Sequence, residues 1–379
     1  MKTKFIPYPR WYIIVLFALL FSEAYGQTIS LGAPLLNDLY RREQLLGNVG
    51  IDNSFMARPL FLPETEDKGC FLNNPAIRSI LYDSLSFGKI FFPNNKGGIA
   101  LLPFTWKSQY TTDHPEGIND GLMIPARGYQ TLVTGGFYAR YGWLSIQFQP
   151  EYVWAENRSF DGFADEHPNN IWRSYYSSFL RNIDIPERFG DEAYQRFSLG
   201  QSSIRLTAGP VSLGLSNENL WWGPGMQNAL LMTNNAPGFL HLTLNTVRPI
   251  KTIIGSFEGQ LIAGRLEKSG FPNIDTLRLA LHGVKYVPKP DDWRYINGLV
   301  ISYQPRWLPG LFLGASRAFI NYRKSMGENI LNYLPVILPI TKREISESEE
   351  WQGSDDQLAS VFLRLVAPKD HLEVWMEYG

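Results

Sequence analysis

The stretch Leu144-Ser145-Ile146-Gln147-Phe148-Gln149 decides the fold, because its side chains alternate between apolar and polar at every step. Successive side chains of an extended strand point to opposite faces of a sheet, so this period of two predicts a strand with one apolar face. The pattern continues to Tyr152 and Trp154. We therefore predict β-strands as the main element of the chain beyond about Gly98.

The same alternation returns throughout the second part of the chain. It is found in Ile204–Thr207, Leu240–Asn245, Leu277–Leu281, Leu299–Gln304 and Val361–Leu365. In Phe257–Ala263 it places Glu258 and Gln260 on a face that cannot meet lipid. The period allows two architectures: a soluble sandwich, whose apolar face is its core, and a membrane barrel, whose apolar face meets lipid.

The amino terminus has the features of a secretory signal peptide. A positive start is followed by an apolar run at Trp11–Phe21 and by the small residues of Ala24-Tyr25-Gly26, and we expect cleavage of residues 1–26 before Gln27. The run is about half of the roughly 20 residues that a spanning helix needs, which disfavours a retained anchor. No comparably long apolar segment follows, so membrane integration would have to use strands.

The next part of the chain, residues 27–97, is predicted to be a small helical and irregular region on the periplasmic side. Pro34–Leu46 repeats apolar residues at helical spacing, and Gly47 would end the helix. We expect its apolar stripe to pack on the rest of the protein, with a membrane-surface helix as the alternative. Four prolines then interrupt the pattern: Pro59, Pro63, Pro75 and Pro93.

Residues 98–379 are predicted to form the barrel. The strand candidates number about eleven or twelve, fewer than a large barrel needs. The chain also ends within a strand-like stretch, His371–Gly379. We therefore expect an incomplete barrel with an open edge, in which C-terminal strands are missing.

Composition agrees with a membrane barrel and excludes other classes. Aromatic residues make up 14% of the chain and lie near strand ends, as in interfacial girdles: Tyr138, Tyr141, Trp143, Tyr152, Trp154, Tyr303 and Trp307. The formal charge is -1, from 35 basic and 36 acidic residues, so nucleic acid is not an expected partner. Cys70 is the single cysteine, which excludes an intrachain disulfide and is read as a small buried apolar residue.

A long and compositionally unusual segment carries a family resemblance. Ser216-Asn217-Glu218-Asn219-Leu220-Trp221-Trp222-Gly223-Pro224-Gly225, followed by Asn228–Phe239, resembles the hallmark segment of the capsule assembly Wzi family. Further blocks resemble its Bacteroidetes-type members: Leu102–Lys107, Asn119–Gly121, Pro125–Gln130 and Leu144–Asn157. The resemblance runs from roughly Pro34 to the end of the chain.

The resemblance implies an antiparallel transmembrane β-barrel of the outer membrane with a small periplasmic helical part. It implies a lectin-like, non-catalytic protein that attaches or organises capsular or surface polysaccharide at the cell surface. The partners that follow are the polysaccharide, outer-membrane lipid and the barrel-insertion machinery, for a monomeric protein without a cofactor.

The candidate contact residues rest on physical reasoning alone. Two adjacent indoles beside a glycine-rich turn offer flat apolar faces, and neighbouring amides could bind sugar hydroxyls. The alternative, which we favour, is an inward-folded loop that plugs the lumen. The residues concerned are Asn217, Glu218, Asn219, Trp221, Trp222, Asn228, Asn234 and Asn235.

Catalytic and metal chemistry finds little support in the sequence. The five histidines are scattered, and the stretches Asp165-Glu166-His167 and Asp113-His114-Pro115-Glu116 are typical of solvated loops, so no metal site is predicted. Glu151 and Glu258 could in principle pair as glycosidase carboxylates, but lining a wet interior is the simpler interpretation. The acidic run Lys342–Asp356 reads as a solvated extracellular loop that could bind calcium weakly.

Two other functions remain open from sequence. An outer-membrane porin or substrate channel would share the barrel but keep an open lumen, which a conductance assay would detect. A secreted polysaccharide-acting enzyme would share the signal peptide but be soluble without detergent.

Overall fold

A computed structural model describes most of the chain beyond the amino terminus. The described residues are 28–31, 34–48, 50–61, 90–92, 97–181, 183–274, 276–326, 333–334, 336 and 356–379. The predicted signal peptide, Cys70 and the acidic run up to residue 355 lie outside them. Within the described part, no helix is long and apolar enough to cross a membrane.

One antiparallel sheet of fifteen strands dominates the described residues. Its strands are β4 (Ile90–Phe91), β5 (Gly97–Thr111), β6 (Gly128–Tyr141), β7 (Leu144–Phe148), β8 (Glu151–Ala155), β9 (Tyr194–Ser198), β10 (Ser203–Ala208), β11 (Val211–Ser216), β13 (His241–Thr246), β14 (Ile250–Lys251), β15 (Gly255–Leu266), β16 (Arg294–Pro305), β17 (Leu311–Tyr322), β18 (Asp356–Ala367) and β19 (Leu372–Tyr378). Two small ladders accompany it: β1 (Thr28–Ile29) pairs with β3 (Leu60–Phe61), and β2 (Ala57–Arg58) pairs with β12 (Trp221–Trp222). The predicted antiparallel β-architecture is confirmed.

Neighbours in the sheet follow one another along the chain. The hydrogen-bonded order is β4, β5, β6, β7, β10, β11, β13, β15, β16, β17, β18, β19. Strands β7 and β8 both pair with β6, so that β8 continues β7. On their other side, β10 pairs with β7 and β9 pairs with β8, so β9 and β10 also follow one another along one row of the sheet. The sheet is not closed in the described residues, since β4 and β19 are the two ends of its path.

The two ends of the sheet differ in the length of their connections. At one end, which we call the turn end, strands are joined by the short segments 142–143, 209–210, 306–310 and 368–371. At the opposite end, the loop end, the connections among the described residues are 112–127, 156–193 and 267–293. Short turns at one end and long loops at the other are typical of outer-membrane barrels.

The two faces of the sheet have an inverted distribution of polarity. The apolar side chains of β10, β11 and β13 are exposed, and Leu213, for example, is 52% exposed. The polar side chains that alternate with them are buried: Arg205, Thr207, Ser212, Ser216, Thr243 and Asn245. A soluble sheet buries its apolar face, so this arrangement fits a sheet whose outer surroundings are themselves apolar.

Exposed aromatic residues form two bands on the outer face. Trp106, Tyr152 and Phe197 lie side by side on β5, β8 and β9, because Trp106 and Tyr152 both pair with Val133 of β6 and Tyr152 pairs with Phe197. A second band lies at the turn end and contains Tyr141, Trp143 and Trp307. Tyr138, which the sequence placed among these girdle residues, is instead buried.

The predicted helix is confirmed, whereas one predicted strand is wrong. Helix α1 spans Pro34–Leu45, and Gly47 ends it with a φ of 77°, which glycine adopts without steric strain. The alternating stretch Leu277–Leu281 lies in the short helix α3 (Thr276–Leu281) and not in a strand. Its central Leu279 packs into a local core between two long loops, so tertiary packing overrides the period.

Candidate functional site

The segment that carries the family resemblance packs against the buried, polar face of the sheet. We call residues 217–240 the inward segment: it leaves β11 after Ser216 and returns to β13 at His241, and these two residues are paired neighbours. Within it, β12 pairs with β2 of the N-terminal region. The inward segment therefore lies between the sheet and the N-terminal region, as a lumen-filling loop would.

Trp222 is the best-packed residue of the inward segment. It is 0% exposed, and its indole Nε1 donates a hydrogen bond to Oε1 of Gln260, at 2.9 Å. Gly298 of β16 leaves room for the ring, because a Cβ there would lie 2.6 Å from Cη2 of Trp222. The surrounding apolar cluster contains Met56, Leu220, Ile262, Val300, Phe312, Phe362 and Val366.

Trp221 lies against a cluster of buried arginines. The guanidinium of Arg58 stacks over its ring at 4.6 Å and donates to the carbonyl of Gly225 at 2.6 Å. Arg41 of α1 donates to the adjacent carbonyl of Pro224 at 2.6 Å. Burial, together with the nearby guanidinium groups, lowers the pKa of Arg58 to about 9, so it remains a cation at neutral pH. The arginines thus hold the glycine-proline turn in place.

Glu218 and Arg205 form an ion pair that is shielded from water. Nη2 of Arg205 lies 2.5 Å from Oε2 of Glu218, and both side chains are almost fully buried. Glu218 also accepts hydrogen bonds from the hydroxyls of Thr28 and Ser216. Burial alone would raise the pKa of Glu218, but Arg205 and the two hydroxyl donors outweigh it and hold that pKa below its ordinary value. Glu218 is therefore a charged anchor of the inward segment.

The two asparagines around Glu218 are also buried and bonded. Asn217 donates to the carbonyl of Gly200 at 3.1 Å. Asn219 donates to the carbonyl of Ala236 at 2.6 Å and accepts from Nε2 of Gln201 at 2.7 Å. These amides stabilise the fold of the segment through its neighbours.

The outer part of the inward segment contacts the loop 112–127. Asn234 is buried and donates to the carbonyl of Asn119 at 2.9 Å, while Asn235 accepts from the Asn119 amide at 2.7 Å. Asn119 has a left-handed φ of 54°, a conformation that asparagine tolerates better than most residues. Asn228 and Asn235 are exposed.

The eight candidate residues all lie in the inward segment, and the structure divides them into a buried group and an exposed group. Six are buried: Asn217, Glu218, Asn219, Trp221, Trp222 and Asn234. Asn228 and Asn235 face solvent. In this conformation only these two have side chains open to a sugar, whereas the indoles are covered.

Several partners of the inward segment were missed by sequence reasoning. Arg205 could have been found, because the alternation of β10 places it on the polar face. Arg41, Arg58 and Thr28 could not, since they belong to the N-terminal region, which is distant in sequence. That region approaches the segment only through tertiary packing.

A second ionic network connects the N-terminal region to the last strands. Arg364 of β18 is 0% exposed; its Nε lies 2.6 Å from Oε1 of Glu373, and its Nη2 donates to Oε1 of Gln44 at 2.8 Å. Arg41 shares the same carboxylate at 2.5 Å. Helix α1 is thereby attached to β18 and β19.

Glu258 and Gln260 lie on the inner face, as the alternation predicts. Glu258 accepts from the amide of Ser54 at 2.8 Å. Both line a cleft of about 370 Å³, a volume that includes space open to solvent, together with Asn53, Phe61 and Asn245. Glu151 engages a different network, since it accepts from Gln201 at 3.1 Å.

The acidic stretches considered for metal binding are held by other contacts. Asp165 pairs with Arg278 at 2.9 Å, and Asp113 lies 3.2 Å from His114 on an exposed loop. Among the residues that the structure describes, no group of three or more His, Cys, Asp or Glu residues could hold a metal ion.

The fold and the site together define a class of protein. An antiparallel sheet with an apolar outer face, a buried polar inner face and a loop folded inward has the features of an outer-membrane β-barrel. Residues 123–296, which include the entire inward segment, match the family model described as capsule assembly protein Wzi. The family resemblance drawn from the sequence is therefore confirmed.

One solved structure and the curated proteins complete the comparison. The solved structure is described as Wzi, an outer membrane protein involved in group 1 capsule assembly in Escherichia coli and a carbohydrate-binding beta-barrel. It has 13% sequence identity to this chain and a TM-score of 0.49, with 94% of this chain and 63% of that chain covered. This chain therefore spans less than two thirds of that protein's length. No curated protein matches this chain.

Proposed function

We propose that this chain is an outer-membrane protein that binds and organises capsular or surface polysaccharide, in a lectin-like and non-catalytic role. The observation that carries the proposal is the inverted sheet: leucines such as Leu213 and Leu242 face outward while Arg205 and Thr243 are buried between them. Lipid on the outer face would supply the apolar surroundings that these leucines lack within the chain.

The two aromatic bands support a position across the outer membrane. Along β6, Val133 stands at the level of the upper band and Tyr141 belongs to the lower band. Their separation is roughly 27 Å along the strand at about 3.4 Å per residue. This length is comparable with the apolar band of about 25 Å in outer-membrane barrels. The loop end would face outward and the turn end the periplasm.

A contact at the turn end supports a periplasmic position for the N-terminal region. The carbonyl of Leu45, the last residue of α1, lies 3.4 Å from Nδ1 of His371 in the turn between β18 and β19. We infer three parts: a signal peptide at 1–26, a periplasmic helical and irregular region at 27–97, and the barrel from 98. Export, insertion by the barrel machinery and a monomeric state belong to the proposal.

The ligand part of the proposal draws on the family. A capsule-assembly role implies contact with a polysaccharide, and the solved relative is described as carbohydrate-binding. We infer that the buried residues of the inward segment act as a plug, with Trp222 at its centre. Asn228 and Asn235 would contribute contacts from its exposed side.

Membrane fractionation of the expressed chain tests the proposal. We expect recovery in the outer membrane, extraction only with detergent, and a heat-dependent shift in gel mobility. Purified protein should bind polysaccharide extracted from the cells that produce it, without shortening the chains. Recovery as a soluble protein that degrades the polysaccharide would favour the secreted enzyme.

The channel alternative is tested in planar lipid bilayers. A plug makes a low conductance the expected result for the wild-type protein. Trp222→Ala should raise conductance if the inward segment fills the lumen. A large, stable conductance of the wild-type protein would favour a porin.

A further inference from the structure

Two long loops at the loop end fold together into a small unit, which we call the loop cap (residues 156–193 and 267–293). Its core consists of Trp172, Tyr176, Leu180, Ile274, Leu279 and Val284. The carboxylate of Asp184 accepts from the amide and the hydroxyl of Ser269, at 2.7 and 2.8 Å. Asn273 donates to the carbonyl of Ile183 at 2.6 Å. The loop cap is therefore an ordered scaffold.

Four aromatic rings form a continuous row on this scaffold, which we call the ring row: His167, Phe163, Tyr175 and Phe179. Phe163 and Tyr175 are stacked, with ring centroids 4.0 Å apart and planes 16° apart. The ring of His167 lies 4.7 Å from Phe163, and that of Phe179 lies 6.4 Å from Tyr175. Phe179 is 57% exposed, His167 is exposed, and the two central rings are half-buried.

The backbone explains why these rings remain uncovered. Helix α2 (Asn169–Tyr175) continues into a π-helix, Tyr176–Leu180. One face of this element is buried in the cap core, and the neighbouring face presents Tyr175 and Phe179 outward. π-Helical turns are rare and frequently mark functional sites.

Both backbone polar groups of Phe163, its amide and its carbonyl, are hydrogen-bonded to side chains. Its amide donates to Oε1 of Glu187 at 2.5 Å, and its carbonyl accepts from Nη2 of Arg278. Arg278 in turn pairs with Asp165 at 2.9 Å. The stacked pair is thus held in one orientation before any ligand arrives, which reduces the entropy lost on binding.

We propose that the ring row is a docking platform for a saccharide chain, and this inference rests on the proposed function. Flat ring faces can pack against the C–H faces of sugar rings, while nearby polar groups meet hydroxyls. Asp165 and Asn169 are exposed and lie between Phe163 and Tyr175 in sequence.

The interleaved polar groups decide between possible occupants. Centres of protein interfaces are depleted of charged residues, whereas charged groups here stand among the rings. Arg278 pairs with both Asp165 and Glu187, so the charges beside the ring row partly offset one another. A membrane surface is disfavoured because the loop cap lies beyond the strand ends and the aromatic bands. A hydroxyl-rich polymer fits both the rings and the polar groups.

Ring substitutions test the platform. Tyr175→Ala and Phe179→Ala should weaken binding to polysaccharide extracted from the producing cells by roughly three- to tenfold each, the contribution of one aromatic contact. Tyr175→Phe should retain affinity because it keeps the ring. Leu281→Ala is a matched control, since Leu281 is 82% exposed on the same cap and outside the row.

The readouts are the dissociation constant by calorimetry and the heat-modifiable gel shift, which reports folding. Loss of affinity in folded Phe179→Ala, with the control unchanged, supports the platform. Equal affinity of the wild-type protein and folded ring variants overturns it while the proposed function stands. Absence of binding by the wild-type protein overturns both.

Discussion

The buried ion pair between Arg205 and Glu218 allows a quantitative prediction. Glu218→Gln keeps the shape of the side chain but removes the charge that balances Arg205. Breaking one side of a buried pair typically costs about 3–5 kcal/mol, because the remaining charge stays in a low-dielectric site. Arg205 keeps a hydrogen bond to Asn245 at 2.9 Å and a contact with the ring of Phe61 at 5.1 Å. We therefore expect the free energy of unfolding to fall by about 3 kcal/mol.

The assay is equilibrium unfolding by urea in detergent micelles, followed by tryptophan fluorescence and the heat-modifiable gel shift. Glu218→Ala should cost more than Glu218→Gln, since it also leaves the hydroxyls of Thr28 and Ser216 without their acceptor. The double variant Arg205→Leu with Glu218→Leu should recover part of the loss, because it leaves no unpaired charge. A loss below about 1 kcal/mol for Glu218→Gln would refute a tightly buried pair.

The same pair gives a pH dependence of stability. The folded pKa of Glu218 is lowered from its ordinary value of 4.5, so the carboxylate stabilises the folded state above that pH. This contribution is lost as the pH falls from the unfolded value through the folded one. The difference in unfolding free energy between the wild-type protein and Glu218→Gln should therefore shrink below about pH 4. A difference that stays constant down to pH 2 would contradict the assignment.

Three further predictions concern the plug and the membrane face. Gly298→Ala should destabilise the fold by about 1–3 kcal/mol in urea unfolding, because the added Cβ would collide with Trp222. Gly135→Ala is the control, since its Cβ would make ordinary contacts. Equal stability of the two variants would contradict the packing around Trp222. Leu213→Arg should destabilise insertion into lipid vesicles by about 2–4 kcal/mol if Leu213 lies near the bilayer centre, and an unchanged insertion equilibrium would argue against a lipid-facing β11. Arg58→Ala should release the turn at Gly225, and faster proteolysis within the inward segment would show it, whereas unchanged cleavage would mean that Arg41 holds the turn alone.

The inward segment illustrates what a motif can and cannot reveal. Its composition carries the family resemblance, and residues 217–240 lie within the part of the chain that matches the family model. The indoles of Trp221 and Trp222 could equally have stacked on a sugar or filled a lumen. Their burial depends on Gln260, Gly298 and Arg58, which come from three distant parts of the chain. A loop that fills space is defined by its surroundings more than by its own sequence.

The ring row illustrates the opposite case. By its sequence, the stretch Asp165-Glu166-His167 is typical of a solvated loop. Its neighbour Phe163 stacks on Tyr175 of the same loop, and Arg278 of the second loop donates a hydrogen bond to the Phe163 carbonyl. The alternation at Leu277–Leu281 predicts a strand, but the stretch is helical because Leu279 packs into the core of the loop cap, a partner that the local pattern does not reveal.

The sequence by itself determined most of the local elements and the resemblance to the family model. A period of two fixes which side chains share a face, and the helical spacing of Pro34–Leu45 fixes an amphipathic helix; both are properties of neighbouring residues. Only the tertiary structure decided which face of the sheet is the inside. That choice depends on the segments that pack against one face of the sheet, which leave Leu213 exposed and bury Arg205. The same packing decided that the two tryptophans lie in the interior.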